Sequence, residues 1–242
     1  MARVFVATAG WSIPREHGPT LPSLGSALQR YASILGATEI NSTFSRRHRA
    51  TTFERWCDSV PESFRFAVKV PRAITHEAEL RSPRPALTEF FEDLAGLRHK
   101  LGPILVQLPA SAPFEARRVA NFFRVLRTFH AGPVACEPRH ASWYTPRATS
   151  LLSDHEVARV AADPPRPKDA QEPGGAASLR YFRWHGSPRT YWSEYGEERL
   201  QPLVDCVRRA PEDTTVWCVF DNTASGAALG DALRFLRLMA PQ

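Results

Sequence analysis

The stretch V-A-C-E-P-R-H-A-S-W, from Val134 to Trp143, places two charged residues inside an apolar strand pattern. Alternate side chains of a strand point to opposite faces, so Glu137 and Arg139 would point inward together. A buried ion pair would explain this pattern, and so would a polar site where a strand of a parallel sheet ends. We favour the site, which His140 and Trp143 on the following loop are placed to join, because other strands end in the same way.

Composition and charge set the class of protein. With 242 residues, 43% of them hydrophobic, the chain is long and apolar enough to bury a full core. A net charge of +6 mildly favours acidic partners, either nucleic acid or phosphorylated metabolites. The four cysteines form no C-x-x-C pair, so the sequence indicates neither a zinc site nor a disulfide framework.

No apolar run reaches the length of a signal-peptide core or a membrane span. We therefore expect a cytoplasmic protein that does not contact a membrane. The sequence predicts neither a cofactor nor an oligomeric state.

Strand and helix patterns alternate along the whole chain. Eight strand candidates begin near residues 4, 37, 64, 104, 134, 157, 179 and 214, and most are followed by a helical pattern. This alternation predicts an α/β fold of the (β/α)8 TIM-barrel type, in a single domain over residues 1–242. The sixth unit lacks a clear helix, so we expect irregularity there. No G-x-G-x-x-G follows the first strand, which argues against a dinucleotide-binding fold.

Polar and aromatic residues gather at the carboxyl ends of the predicted strands and in the loops that follow. Because these ends meet at one face of a parallel barrel, we expect a shared ligand site there. The predicted site residues are Trp11, Glu39, Asn41, Thr43, Lys69, His76, Gln107, Glu137, Arg139, His140, Trp143, Arg183, His185, Tyr191 and Asn222.

Several of these segments resemble the domain of unknown function 72 family, also called YecE-like. The matching motifs are G-W-S at 10–12, E-I-N-S-T-F at 39–44, F-R-F-A-V-K at 64–69, I-T-H at 74–76, Q-L-P at 107–109, E-P-R-H-A-S-W at 137–143, R-W-H-G at 183–186 and F-D-N-T at 220–223. The resemblance implies a TIM-barrel-like fold with a polar pocket, but no established reaction. Pro138, Ser45 and Asp221 depart from the residues usual in the family.

The predicted site combines carboxylates with cations, which suits an enzyme acting on a phosphorylated or otherwise anionic substrate. In this hypothesis Glu137 is the general base and His185 or His76 is the acid. Lys69, Arg139 and Arg183 hold the anion. Hydrolysis and isomerisation fit equally well.

Two alternatives stay open. One is a metal-assisted phosphodiesterase or nuclease acting on nucleic acid, although the predicted inward set holds no aspartate, so we predict no metal site. The other is a non-catalytic binder of a small ligand or nucleic acid, in which Trp11, Trp143, Tyr191 and Tyr195 stack on bases or sugars.

Overall fold

The computed structural model describes residues 2–240 and alternates strands with helices, as the sequence predicts. The strands are β1 (Arg3–Thr8), β2 (Ala37–Ile40), β3 (Arg65–Lys69), β4 (Leu101–Gln107), β5 (Val134–Glu137), β6 (Val157–Arg159), β7 (Ala161–Asp163), β8 (Gly174–Gly175), β9 (Leu179–Trp184) and β10 (Thr215–Phe220). The helices are α1 (Ala27–Ala32), α2 (Ala50–Asp58), α3 (Arg84–Leu94), α4 (Ala116–Arg127), α5 (Pro146–Asp154), α6 (Glu197–Arg208) and α7 (Ala227–Met239).

Hydrogen bonding divides the strands between two sheets. One sheet has the order β1-β10-β9-β7 and the other β2-β3-β4-β5-β6-β8. All of the pairs are parallel except β6 with the two-residue strand β8. The mixed α/β prediction is therefore confirmed, and the parallel strands bring their carboxyl ends to shared edges.

A continuous closed barrel does not form among the described residues. Strands β1 and β2 are joined only by an isolated bridge between Ala9 and Glu39. The short strand expected over residues 157–162 is interrupted at Val160, and its two parts, β6 and β7, pair in different sheets. The sixth unit also lacks a helix of its own, as expected: between β7 and β9 the chain forms only a short 3-10 turn and β8.

Local sequence explains where several elements begin and end. Ser26 caps α1, and Gln29 completes a reciprocal capping box with the backbone of Ser26. The arginine-rich helix α4 buries one apolar stripe, which includes Phe122 and Leu126, while Arg124 lies on the exposed face. The alternation of residues 37–44 predicts a strand through Phe44, but β2 ends at Ile40 and Ser42–Phe44 form a 3-10 turn.

The apolar core has two parts. The larger cluster packs the helices against the sheets and contains most of the buried leucine, valine and phenylalanine side chains. A smaller cluster gathers alternate strand residues, many of them alanine, around Tyr181 and Trp217. The rings of Tyr181 and Trp217 stack at 6.1 Å between centroids. Because the same alternation continues toward the strand ends, Arg183, two positions beyond Tyr181, and Asp221, four positions beyond Trp217, point to the same side as these rings.

Candidate functional site

Arg183, near the end of β9, lies at the centre of a buried polar network. Its side chain has 0% exposure. Nε and Nη2 donate to the two carboxylate oxygens of Glu39 at 3.1 and 2.8 Å. Nη1 donates to Glu137 at 2.7 Å, and Nη2 also donates to Asp221 at 3.0 Å. Three carboxylates thus surround one guanidinium, and Arg183 organises the network without facing a cavity.

His185 lies between two of these carboxylates. Its Nε2 is 3.1 Å from Glu137 Oε1 and its Nδ1 is 3.0 Å from Asp221 Oδ2. Burial alone would lower the pKa of His185, but Glu137 and Asp221 raise it above the ordinary value. Ionised carboxylates only accept hydrogen bonds, so both ring nitrogens carry protons and donate. His185 is therefore held as an imidazolium.

Glu137, at the end of β5, accepts hydrogen bonds from three cationic side chains. Besides Arg183 and His185, Arg139 donates to its Oε1 from Nε at 3.3 Å and Nη2 at 3.2 Å. Burial alone would raise the pKa of Glu137, but these cations hold it well below its usual range. A carboxylate stabilised in this way is a weak base. The geometry therefore favours Glu137 as the partner of His185 over the general base expected from the sequence.

A cavity of about 170 Å³ opens beside this network. His185, Glu137 and Arg139 form part of its wall, together with Arg166, Thr190 and Tyr191. The hydroxyl of Tyr191 accepts a hydrogen bond from Arg139 Nη2 at 2.9 Å. The Thr190 hydroxyl oxygen is buried and has no hydrogen-bond partner among residues 2–240. Two guanidinium groups and an imidazolium outnumber the single carboxylate of Glu137 in this wall, and with the unpartnered hydroxyl they give the cavity groups that suit a small anion.

Lys69 ends β3 close to the same network. Its side chain is buried, and Nζ lies 4.0 Å from the centroid of the Phe44 ring. Burial and the charge of Arg183 lower the pKa of Lys69 to about 8. His76 also packs on Phe44, in an edge-on arrangement with 5.0 Å between ring centroids. Burial, Lys69, Arg72 and Arg139 lower the pKa of His76, so this second histidine is neutral at pH 7.

Six of the predicted site residues are thus joined by direct hydrogen bonds: Glu39, Glu137, Arg139, Arg183, His185 and Tyr191. Lys69 and His76 lie near them without a direct bond. Gln107 is buried and pairs in register with Glu137 across β4 and β5. Asn41 is half-buried, and its Oδ1 has no partner within the described part of the chain.

Five other predicted residues are used to hold loops together or to pack. The Thr43 hydroxyl bonds the carbonyls of Ile40 and Lys69, and His140 Nδ1 contacts the Ser142 hydroxyl at 2.8 Å. Trp143 is buried and donates to the Ala112 carbonyl, while Trp11 packs edge-on against Trp56. Asn222 is buried and donates to Ser193 and Asp231. Tyr195, expected to stack on a ligand, is also buried.

Two members of the network were not among the predicted site residues. Asp221 bonds both Arg183 and His185, and Tyr181 donates to Glu39 at 2.8 Å. The sequence pattern could have identified both. Tyr181 lies on the same side of the strand alternation as Arg183 and His185. Asp221 likewise continues the alternation of the inward residues Trp217 and Val219. The neighbouring Asn222 was chosen instead.

Three larger cavities lie elsewhere. One of about 440 Å³ is bounded by the phenylalanines Phe44, Phe53 and Phe90 and by Arg47, whose guanidinium is already paired with Glu89 and Asp93. A second, about 450 Å³, lies beside Trp184 and Cys206. The third, about 570 Å³, lies between α4 and α5. None of them is lined by His185 or Glu137. The small cavity is therefore the one that adjoins the buried charges.

Residues 2–240 contain neither a cluster of metal-ligating side chains nor a membrane-spanning helix. From residue 2 to residue 240, no three His, Cys, Asp or Glu side chains are grouped so that they could hold a metal ion. Over the same range, every helix is too short or too polar to cross a bilayer.

Known proteins resemble this chain over much or all of its length. UPF0759 protein YecE of Escherichia coli K12 is 29% identical over 45% of this chain, and the match spans only 38% of YecE. UPF0759 protein YunF of Bacillus subtilis is 21% identical over 98% of this chain and 94% of its own length.

Solved structures share the fold. A DUF72 family protein from Enterococcus faecalis superposes with a TM-score of 0.83 and 23% identity, covering 99% of this chain and 96% of that chain. A DUF72 family protein from Thermotoga maritima gives a TM-score of 0.77 at 26% identity, covering 98% and 99% of the two chains. The model of the family described as "Protein of unknown function DUF72" matches residues 5–242, and the chain belongs to this family.

Proposed function

We propose that this protein is an enzyme that uses acid–base chemistry on a phosphorylated or otherwise anionic small molecule. The observation that carries the proposal is His185, which lines a cavity while Glu137 and Asp221 bond its two ring nitrogens. A histidine held as an imidazolium beside guanidinium groups combines a proton donor with an anion site. Hydrolysis and isomerisation both need such a pair of functions.

The roles of the individual groups follow from their contacts. Arg139 is half-buried and borders the cavity, so it is the cation that meets the substrate anion. On binding, the Arg139 guanidinium moves from Glu137 to the anionic group of the substrate. His185 then donates its Nε2 proton to the reacting oxygen of the substrate. Glu137 and Asp221 orient the ring and stabilise its charged form. Arg183 holds these carboxylates in place from below.

We also infer that the two sheets work as one TIM-barrel-like framework in a single domain over residues 1–242. Residues 157–163 support this, because they contact both sheets, and the Ala9–Glu39 bridge links the opposite edges. In such a framework the carboxyl ends of β2, β5, β9 and β10 face one mouth, where ligands bind in barrels of this type.

The first test is calorimetric titration with inorganic phosphate at low ionic strength. We expect the wild type to bind, and Arg139→Gln to bind at least about 10-fold more weakly, as expected for the loss of a charge-assisted hydrogen bond. The control is Arg147→Gln, an exposed arginine on α5, which should change the affinity less than about 2-fold. Equal binding by the wild type and the Arg139 variant would remove Arg139 from the site.

The second test separates catalysis from binding. Phosphorylated sugars, nucleotides and damaged DNA are screened for turnover by the wild type and by His185→Gln. Loss of the proton donor should reduce turnover by about 10² to 10⁴ while phosphate binding survives. Phosphate binding by a wild type that turns over none of these compounds would contradict the enzyme proposal.

One observation favours a non-catalytic binder as the second candidate. Tyr191 lines the cavity and is 38% exposed, the following residue Trp192 is 46% exposed, and the Arg189 guanidinium lies 4.4 Å over the Trp192 ring. Exposed aromatic and guanidinium planes of this kind stack on bases and sugars. In that case Trp192→Ala, and not His185→Gln, would be the variant that loses the ligand.

A further inference from the structure

Lys69 and Lys100 are buried to the same degree but in very different surroundings. Their exposures are 6% and 5%. Lys100 Nζ donates to the carbonyls of Cys57 and Val60 at 2.8 and 2.9 Å, and Glu62 lies 3.8 Å away. Lys69 Nζ faces the Phe44 ring, and no residue from 2 to 240 gives it a hydrogen bond or an ion pair. Such an amine is unusual, because buried charges are normally paired.

The reason lies in the competition for nearby carboxylates. Glu39, Glu137 and Asp221 are all close enough to attract the Lys69 charge. Arg183 bonds all three, and His185 bonds Glu137 and Asp221 as well. These carboxylates are therefore hydrogen-bonded to Arg183 and His185 and not to Lys69. The Lys69 amine is left beside the Phe44 ring and near the positive charge of Arg183. Burial and the like charge of Arg183 favour the neutral amine, which is the nucleophilic form, and together they outweigh the attraction of the Phe44 ring for the ammonium.

We propose that Lys69 is a nucleophile that forms an imine with an aldehyde or ketone substrate bearing an anionic group. The inference rests on the proposed function, because Arg139 is taken to hold the anionic group. It narrows the substrate to small keto acids and phosphorylated aldehydes or ketones, and it favours isomerisation over hydrolysis.

The reaction needs no oxidant or reductant. The Nζ lone pair attacks the carbonyl carbon, and the carbonyl oxygen takes up a proton as Nζ loses one, which gives a carbinolamine. The carbinolamine hydroxyl then accepts a proton and leaves as water, while the nitrogen lone pair forms the C=N bond. His76 is our candidate for this proton transfer, since it packs on the same Phe44 ring and its charge is influenced by both Lys69 and Arg139.

The pKa of Lys69, about 8, agrees with this role. At pH 7 roughly one Lys69 amine in ten is neutral, against about one in a few thousand for an ordinary lysine. Burial near another cation is a known way to activate a lysine toward carbonyl groups.

The test uses the full chain, in which the lysines are Lys69, Lys100 and Lys168. Wild-type protein is treated at pH 7 with glyoxylate or glycolaldehyde phosphate and sodium cyanoborohydride, and each labelled lysine is identified by peptide mass spectrometry. We expect Lys69 to be labelled at least about 10-fold faster than the exposed Lys168, with Lys100 unlabelled. Lys69→Arg should lose the fast label. Labelling of Lys69 no faster than that of Lys168 would overturn the inference.

A competition arm separates this inference from the proposed function. Inorganic phosphate should slow labelling of Lys69 and leave Lys168 unaffected, because it occupies the anion site. Fast labelling without protection by phosphate would support the nucleophile and contradict the anion site at Arg139. Phosphate binding by calorimetry without labelling of Lys69 would contradict the nucleophile and leave the proposed function standing.

Discussion

Arg183 and Glu39 form a side-on, two-pronged ion pair that is completely shielded from solvent. Nε and Nη2 of the guanidinium reach separate carboxylate oxygens at 3.1 and 2.8 Å. Tyr181 donates a third hydrogen bond to the same carboxylate. Because Glu39 belongs to β2 of the six-stranded sheet and Arg183 to β9 of the other sheet, the pair also joins the two sheets.

Replacing Arg183 should therefore destabilise the fold. Arg183→Met would leave three buried carboxylates without the one side chain that bonds all of them, and removal of one partner from a buried ion pair typically costs about 3 to 5 kcal/mol. Urea denaturation at pH 7 measures the change in the free energy of unfolding. The matched control is Arg180→Met on the same strand, where a long 3.5 Å contact with the Cys206 carbonyl is lost, at a cost below about 1.5 kcal/mol. Similar losses in both variants would refute a special role for the network.

His185 should make stability depend on pH. Its folded pKa is raised, so its contribution is fully present below the ordinary value of about 6.5 and is lost as the pH rises through the raised value. The free energy of unfolding should then fall by up to about 1.4 kcal/mol per pH unit in that window. Urea midpoints for wild type and His185→Gln between pH 6 and pH 9 measure the difference.

The wild-type profile alone does not isolate His185, because Lys69 changes the free energy of unfolding with pH in the opposite direction. Its folded pKa is lowered to about 8, so its penalty disappears as the pH rises from there toward 10.5. The control His99→Gln replaces an exposed histidine that pairs with Glu62 on the surface, and its pH profile should parallel that of the wild type. A His185→Gln profile that also parallels the wild type would show that the imidazolium contributes nothing.

The sequence predicted much of the fold because its signals are local. Strand alternation, helix periodicity and the apolar stripe of α4 each depend on neighbours in the chain. Closure of the sheets is not local. It depends on whether β1 and β2 form more than a single bridge, and on a break at Val160 inside a run of small apolar residues, which carries no breaking signal.

The same distinction applies to the site. Period-two alternation brought Glu39, Glu137, Arg183 and His185 together correctly, since the ends of parallel strands converge. The pattern does not tell which inward cation meets solvent and which is enclosed. Arg183 and Arg139 look alike in the sequence, yet Arg183 is enclosed by three carboxylates and Arg139 borders the cavity. Those partners come from strands far apart in the chain.

Replacing Lys69 by an apolar residue should stabilise the protein. The folded state lowers the pKa of Lys69, so holding its charge in place costs free energy at pH 7. Lys69→Met keeps the contact with Phe44 and should raise the free energy of unfolding by about 1 to 4 kcal/mol, a gain that shrinks toward pH 10. Urea denaturation at pH 7 and pH 10 measures it. Lys100→Met is the control and should destabilise, because it leaves the Cys57 and Val60 carbonyls without their donor.

The unpartnered hydroxyl of Thr190 gives a last prediction. A buried hydroxyl without a partner costs free energy, so Thr190→Val should leave stability unchanged or raise it by up to about 1 kcal/mol. If that hydroxyl instead binds a substrate anion, the same variant should bind phosphate several-fold more weakly in calorimetry. Thr75→Val is the control: its hydroxyl bonds the Pro71 carbonyl and contacts His76, so its loss should destabilise by about 1 kcal/mol. A Thr190 variant that is less stable than the wild type but binds phosphate equally well would contradict both expectations. It would show that the Thr190 hydroxyl stabilises the fold and does not contact the anion.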